Sequence, residues 1–176
     1  MSSGASHEEA YAFSICLLME MQWMNSGSFH DGEFFHGPFE IVDKDVPFIL
    51  LMNEGKTRAL DSRALDFLNR FGAKVTVLDG KDFGLGSELH KSVVDYFNPI
   101  VLSAVLRVYA EQLAIVRNHP LTKRRYMWKL GILIMYSADS CDIRSAGQVI
   151  SKRQQEGRTL WEQSVNRRLP LVIIIT

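Results

Sequence analysis

The sequence predicts an α/β domain with a mostly parallel sheet, on three observations. Two continuous apolar runs, VPFILLMN at 46–53 and AKVTVLD at 73–79, read as strands buried on both faces. Between them lies TRALDSRALDFLNRF, in which Leu60, Ala64, Leu65, Leu68 and Phe71 recur at helical spacing. Strand, crossover helix and strand in that order give parallel pairing. With 176 residues the chain has room for one domain and a substantial core.

The elements follow in order. SSGASH at 2–7 is a Ser/Gly loop, and 8–24 is a helix whose Glu8 and Glu9 suit the positive end of the macrodipole. Residues 25–31 form a turn with a short strand. EFFHGPFEIV at 33–42 is a short helical segment interrupted by Gly37-Pro38. After the first strand and its helix, Gly72 provides the helix stop, and 80–88 form a Gly-rich loop. A long helix starts at Pro99, a residue favoured in a first turn, and runs to about Asn118 before Pro120. Beyond it come the basic, aromatic LTKRRYMWKL at 121–130, a strand at 131–135, a helix over 145–168 and the β-prone run 171–176.

Composition excludes several classes. Twenty basic and twenty acidic residues give no net field to draw the chain onto nucleic acid or an anionic membrane. The two cysteines have no metal-ligand spacing and no disulfide pattern, so a reducing cytoplasm is the expected setting, with Cys16 a buried small hydrophobe. The first residues lack the basic and apolar regions of a signal peptide, and AYAFSICLLMEMQWM, too short for a bilayer, reads as a core helix.

The two ends look cut from one motif. Ligand sites of parallel α/β domains run strand, Gly/Ser loop, helix; here the strand LPLVIIIT comes last and the loop SSGASHEEAY first. A circular permutation gives this order, and so does a truncated domain whose last strand pairs at an edge.

Between Ala10 and His30 the sole formal charge is Glu20, on a helical stripe with Phe13, Leu17 and Met24. A carboxylate there is costly unless partnered, and burial favours its neutral form, which suits a proton carrier near neutral pH. A glutamate facing a polar gap, or bonded to a neighbouring helix, fits the same pattern. Sixteen residues on, His36 stands in GEFFHGP, where Gly37-Pro38 ends a turn and holds the ring at an exposed corner. Glu33, one turn earlier, either orients that ring or is a solvated helix residue.

SSGAS…YAFSICLLMEMQW…GEFFHGPFEIVDKDVPFILL resembles the second sugar isomerase (SIS) domain of fructoselysine- and glucoselysine-6-phosphate deglycases, and is more distantly similar to the isomerase half of glucosamine-6-phosphate synthase. The resemblance covers residues 2 to about 129. Residues 130–144 resemble nothing and read as a connector; 145–176 resemble the helix and strand that precede this domain. The resemblance implies a flavodoxin-like three-layer αβα sandwich, permuted, as a single domain over 1–176. It implies that Glu20 shuttles a proton between C1 and C2 of an open-chain sugar and that His36 opens the ring, often across a subunit interface. The loop Ser2, Ser3 and Ser6 resembles the family's sugar-phosphate loop or is only a turn. Arg124 and Arg125 lie where the family's C-terminal tail closes over the site, meeting a phosphate or lysine carboxylate or forming a solvated basic face. Glu33, from its place before His36, is the remaining substrate-binding candidate.

The expected partner is a phosphorylated sugar or sugar–amine conjugate, with no metal or other cofactor. Related deglycases carry two such domains per chain, so either two copies pair in a homo-oligomer to rebuild the site or the chain is incomplete and inactive. Deglycation of a 6-phosphorylated ketosamine is the favoured chemistry. Plain aldose–ketose isomerisation and a non-catalytic sugar-phosphate-binding or oligomerisation module are the alternatives.

Overall fold

The structure is a computed structural model in which residues 1–129 are described. The elements expected at 131–135, 145–168 and 171–176, and with them the permutation and Cys141, lie outside the described residues. Met1–Lys123 falls within one compact unit and the described residues from Arg124 onward within another.

The expected βαβ unit is present. Strand β1 (Pro47–Met52) pairs in parallel with β2 (Lys74–Asp79), in a register from Pro47 opposite Lys74 to Met52 opposite Asp79. Helix α2 (Arg58–Arg70) connects them, and Gly72, at φ +71°, takes the left-handed conformation that ends it. On the other side of β1 the backbone of Met1 and Ser2 completes strand-type bonding: Leu51 N donates to Met1 O at 2.9 Å, and Asp31 N donates to Ser2 O at 2.9 Å. A parallel bridge joins Ser2 to His30.

Strand side chains alternate between faces, so β1 divides two cores. Phe48, Leu50 and Met52 join Phe34, Ala64 and Leu68 under α2. Ile49 and Leu51 join Leu18, Leu78, Leu102 and Leu106 on the opposite side. Each fully buried Leu or Phe contributes about 1.5–3 kcal/mol. In the first core Phe67 meets Phe34, Phe35 and Phe39 edge-on at 5.8, 5.5 and 5.7 Å, the favoured aromatic geometry. Helices on both faces of a parallel sheet make the αβα sandwich.

Several expectations need correction. Strand β2 is not buried on both faces: only Leu78 is buried, because among the described residues β2 pairs on one side alone. On α2 the buried positions are Asp61, Ala64 and Leu68, whereas Leu60 and Phe71 are exposed. The 80–88 loop is two short turns, a 3-10 turn at Gly80–Phe83 and α3 (Leu85–Glu88).

The long helix α4 (Val94–Val116) begins before Pro99, which lies inside it. Proline removes the N–H that would bond four residues back. The Asn98 side chain substitutes: its Nδ2 donates to Val94 O at 3.2 Å and Asp95 O at 3.4 Å. That local repair is what lets the helix continue through the proline.

The first helix is the largest departure. Ordinary α-winding holds only over α1 (His7–Ala12), after which Phe13–Met21 widens to π-winding, with bonds to the fifth residue rather than the fourth. Five-residue spacing puts Phe13 and Leu18 on the buried side. It turns Leu17, Glu20 and Met24 to half-buried positions and leaves Cys16 exposed, so neither the core-facing stripe nor the buried cysteine holds.

Candidate active site

Parallel sheets build ligand sites beyond the carboxyl ends of their strands. Here that edge is a connected polar network. Asn53, just past β1, is buried and donates its backbone N–H to Asp61 Oδ2 at 2.7 Å. Its Nδ2 donates to the same oxygen at 3.0 Å and to Ser3 O at 3.0 Å.

The Ser/Gly loop folds into this network. Ser2 Oγ donates to Leu51 O at 2.9 Å, Ser6 Oγ donates to Asn53 Oδ1 at 2.5 Å, and Ser3 Oγ donates to Asp61 Oδ1. All three serines are fully buried, and each hydroxyl proton is committed to an internal acceptor. Ser2, Ser3 and Ser6 are thus brought together, and their hydroxyls fix the loop to the strand end. Gly4 takes φ +55°, and a Cβ there would meet Thr57 Oγ1 at 2.9 Å, so the loop needs glycine for its turn and its closeness to α2.

Beside Ser2 the buried Asp31 completes the cluster. Burial first, and the neighbouring Asp61 carboxyl second, push its carboxyl up to about 8. His7 packs edge-on against His30 at 5.2 Å. Burial, then the charge on His30, lowers the His7 imidazole below its ordinary value.

The end of β2 is held by an ion pair. Arg58 of α2 donates Nη1 to Asp79 Oδ1 at 2.7 Å and Nη2 to Asp79 Oδ2 at 2.5 Å, a bidentate grip. Asp79 also accepts from Lys81 N at 2.9 Å, and the Arg58 guanidinium holds its carboxyl below the usual carboxylate range. Asn98 spans from α4 to the end of β1, its Oδ1 accepting from Glu54 N and its Nδ2 donating to Glu54 O, both at 2.9 Å.

Glu20 lies one residue from the end of the π-wound stretch, half-buried. That end is clamped to the end of α4. Buried Gln22 donates Nε2 to His119 O at 2.7 Å, and Arg117 Nη1 donates to Gln22 O at 2.6 Å. Trp23 takes a left-handed backbone, φ +54°, and stacks edge-on against His119 at 4.5 Å. A wide helical turn with a strained exit, pinned by buried hydrogen bonds, holds the backbone just beyond Glu20.

His36 closes a 3-10 turn (Phe34–His36), its N–H donating to Glu33 O at 2.8 Å; both Glu33 and His36 are exposed. Their neighbours Phe34, Phe35 and Phe39 belong to the core under α2, while Phe13, Leu17 and Leu18 beside Glu20 belong to the core under α4. Within one copy the two residues are therefore anchored in different helical layers. Arg124 and Arg125 fall in the second unit. Sequence reasoning missed Asp31, Asn53, Asp61, Asn98 and the Arg58–Asp79 pair.

Over 130 residues, 74% of its length, the chain is 53% identical to fructosamine deglycase FrlB of Bacillus subtilis strain 168, covering 39% of that protein. It is 29% identical over 126 residues to fructoselysine 6-phosphate deglycase of Escherichia coli K12, covering 72% of this chain and 35% of that one. A crystal structure from Bacillus subtilis assigned as a phosphosugar isomerase superposes with a TM-score of 0.70 at 53% identity, over 74% of this chain and 40% of that chain. No family model matches. The chain spans about two-fifths of the length of these relatives. In sequence and in fold it resembles the sugar isomerase domain of the deglycases.

Proposed function

We propose that this chain carries deglycase-type chemistry on a 6-phosphorylated ketosamine, with Glu20 moving the proton and His36 of a second copy opening the sugar ring. The observation that carries the reading is a half-buried glutamate two residues from the pinned end of a wide helical turn, in a chain 53% identical to a fructosamine deglycase over 130 residues.

The chemistry balances without a redox partner. His36 assists opening of the ring. Glu20 takes a proton from C1 and returns it to C2, while the amine N–H proton is lost and the C2 oxygen gains one, so that the C2 ketone becomes an alcohol and the C1–N bond becomes an imine. Water adds to the imine and releases glucose 6-phosphate and the amine. Placement of C1 and C2 against one carboxylate supplies much of the rate by orientation. We assign the phosphate or substrate carboxylate to Arg124 and Arg125, the substrate amine to Glu33, and to Ser2, Ser3 and Ser6 the shaping of the loop. The two unpatterned cysteines favour a cytoplasmic setting.

The test is incubation with fructoselysine 6-phosphate, following lysine and glucose 6-phosphate together. Glu20→Gln should lower release by about 10²–10⁴-fold, the usual contribution of a general acid/base. Equal release by wild type and Glu20→Gln, or none by either, sinks the proposal. A rearranged sugar phosphate without amine would point to isomerisation.

The commitment of all three loop hydroxyls to internal acceptors favours a second reading, a module that binds sugar phosphate or a partner without turnover. Its mark would be a melting temperature raised equally by ligand in wild type and Glu20→Gln.

A further inference from the structure

Among the described residues the sheet carries only the last two residues of an inner strand. In parallel pairing a residue donates to the carbonyl before its opposite number and accepts from the N–H after it. Met1 N donates to Ile49 O at 2.7 Å and Leu51 N donates to Met1 O at 2.9 Å, which sets Met1 opposite Leu50. Ser2 turns the other way. Its N–H donates to Phe29 O at 3.4 Å, its carbonyl accepts from Asp31 N at 2.9 Å, and it bridges His30 in parallel. The lateral order is therefore β2, β1, Met1 with Ser2, and then 29–31. Strands usually run about five or six residues; this one shows two, and it is flanked on both sides. Met1 is fully buried, in the core with Phe34 and Leu50, and its α-amino group is buried with it. The stub thus begins inside the protein and not at its surface.

We propose that residues 172–176 of the same chain fill the slot upstream of Met1, running parallel to β1 with Thr176 leading into Met1. Alternate residues of a strand turn their backbone groups to the same neighbour. Ile49 and Leu51 bond to Met1, so Pro47 O and Ile49 N continue that row one step upstream. They receive Ile175, whose N–H donates to Pro47 O and whose carbonyl accepts from Ile49 N. Thr176 then falls opposite Ile49, Ile174 opposite Pro47 and Ile173 opposite Val46. The slot is internal, which favours the permuted order over a last strand that pairs at an edge.

The side chains suit this register. Opposed residues share a face of the sheet, and Met1 already joins Leu50 in the core under α2. Ile175 and Ile173 accordingly join Phe48 and Val46 in that core, while Ile174 lies beside Ile49 on the α4 side. A strand with a core on each face needs apolar side chains at every position. Residues 172–175, VIII, supply four in succession, all β-branched and uncharged. The other apolar run outside the described residues, GILIM at 131–135, contains a glycine and only Ile132 and Ile134 as β-branched residues. Residues 130–171 reach up to about 140 Å when extended, so the connection is long enough. The filled strand ends at the loop 2–6, whose Ser2 and Ser3 meet Leu51, Asn53 and Asp61. The candidate site is then built from both ends of the sequence, whether or not the chain turns over a substrate.

Three measurements on the full chain test this. Hydrogen exchange read by mass spectrometry should show residues 173–176 slowed at least 100-fold against an unstructured peptide of the same sequence. In a Cys16→Ser/Cys141→Ser background, Val46→Cys/Ile173→Cys should form a disulfide within one chain under mild oxidation, because opposed residues of paired strands stand about 5 Å apart. Val46→Cys/Val172→Cys, one residue out of register and on the other face, should not. A reordered chain that begins at Ala138, joins Thr176 directly to Met1 and ends at Ser137 keeps every residue. It should retain the wild-type circular dichroism and melt no lower than wild type. Exchange of 173–176 at the free-peptide rate overturns the proposal. So does protection confined to 131–135, a disulfide that links two chains, which would put a second copy's strand in the slot, or a reordered chain that fails to fold where the wild type folds. Should the cysteine variants fail to fold, the exchange and the reordered chain decide.

Discussion

Asn98 holds both backbone groups of Glu54, accepting from its N–H and donating to its carbonyl at 2.9 Å each. The same amide meets Asp95 O, the carbonyl that Pro99 leaves unpaired in α4. Asn98→Leu should therefore remove bonds at two places at once. Leaving buried partners unsatisfied costs about 1–3 kcal/mol for each group, so the variant should lose about 2–4 kcal/mol in urea denaturation. Gly80→Ala should act on the same contact, because a Cβ there would meet Asn98 Oδ1 at 2.6 Å.

The Arg58–Asp79 pair gives an acid-side prediction. Asp79 has a depressed folded-state pKa, so its contribution is present above the ordinary aspartate value of 3.8 and is lost as pH falls through the lower folded value. Asp79→Asn should cost about 1 kcal/mol at pH 7, in the range of a partly exposed pair. The gap in melting temperature between wild type and variant should close below about pH 4. A gap independent of pH would remove the ion pair from the account.

Asp31 predicts the opposite slope. Its folded pKa, about 8, lies above the ordinary 3.8, so between those values the folded state retains a proton that the unfolded chain gives up. Stability from this site falls as pH rises across that window. Asp31→Asn does not titrate, so its melting temperature relative to wild type should climb steadily from pH 5 to pH 8. A flat difference would mean that the Asp31 carboxyl is ionised in the fold.

The clamp behind Glu20 predicts a separation of activity from fold. Gln22→Ala should cost about 1–3 kcal/mol through the loss of a buried hydrogen bond. If Glu20 carries the proton, kcat should fall well beyond KM, because a displaced carboxylate affects the transition state more than ground-state binding. A change in KM alone would detach the clamp from the chemistry.

The parallel pair was legible because apolar runs and a 3.6-residue repeat report burial directly, and the Gly37-Pro38 break reports itself. The winding of the first helix was not legible. A stripe drawn at α-spacing through Phe13, Leu17, Glu20 and Met24 assumes bonds to the fourth residue, and the stretch bonds to the fifth, which widens every turn. Asp61 was missed although the signal that singled out Glu20 applies to it: a carboxylate three residues before Ala64 and seven before Leu68, on the buried side of α2. Pro99 misled because a favoured first-turn residue also sits inside a helix when a neighbouring amide supplies the missing bond. Asn53 gave no sequence signal, since an asparagine at a strand end reads as a turn, and Asn98, directly before Pro99, reads as lying outside a helix that starts at the proline.

The wide winding of Phe13–Met21 makes the direction of Glu20 a matter of register. Were this stretch to tighten to ordinary α-turns, each turn would shed about one residue, and the carboxylate would swing around the axis by roughly a third of a revolution. Deleting a single residue between Phe13 and Glu20 would thus re-aim the acid without altering its chemistry, whereas the same deletion in α2 would shift only a packing face.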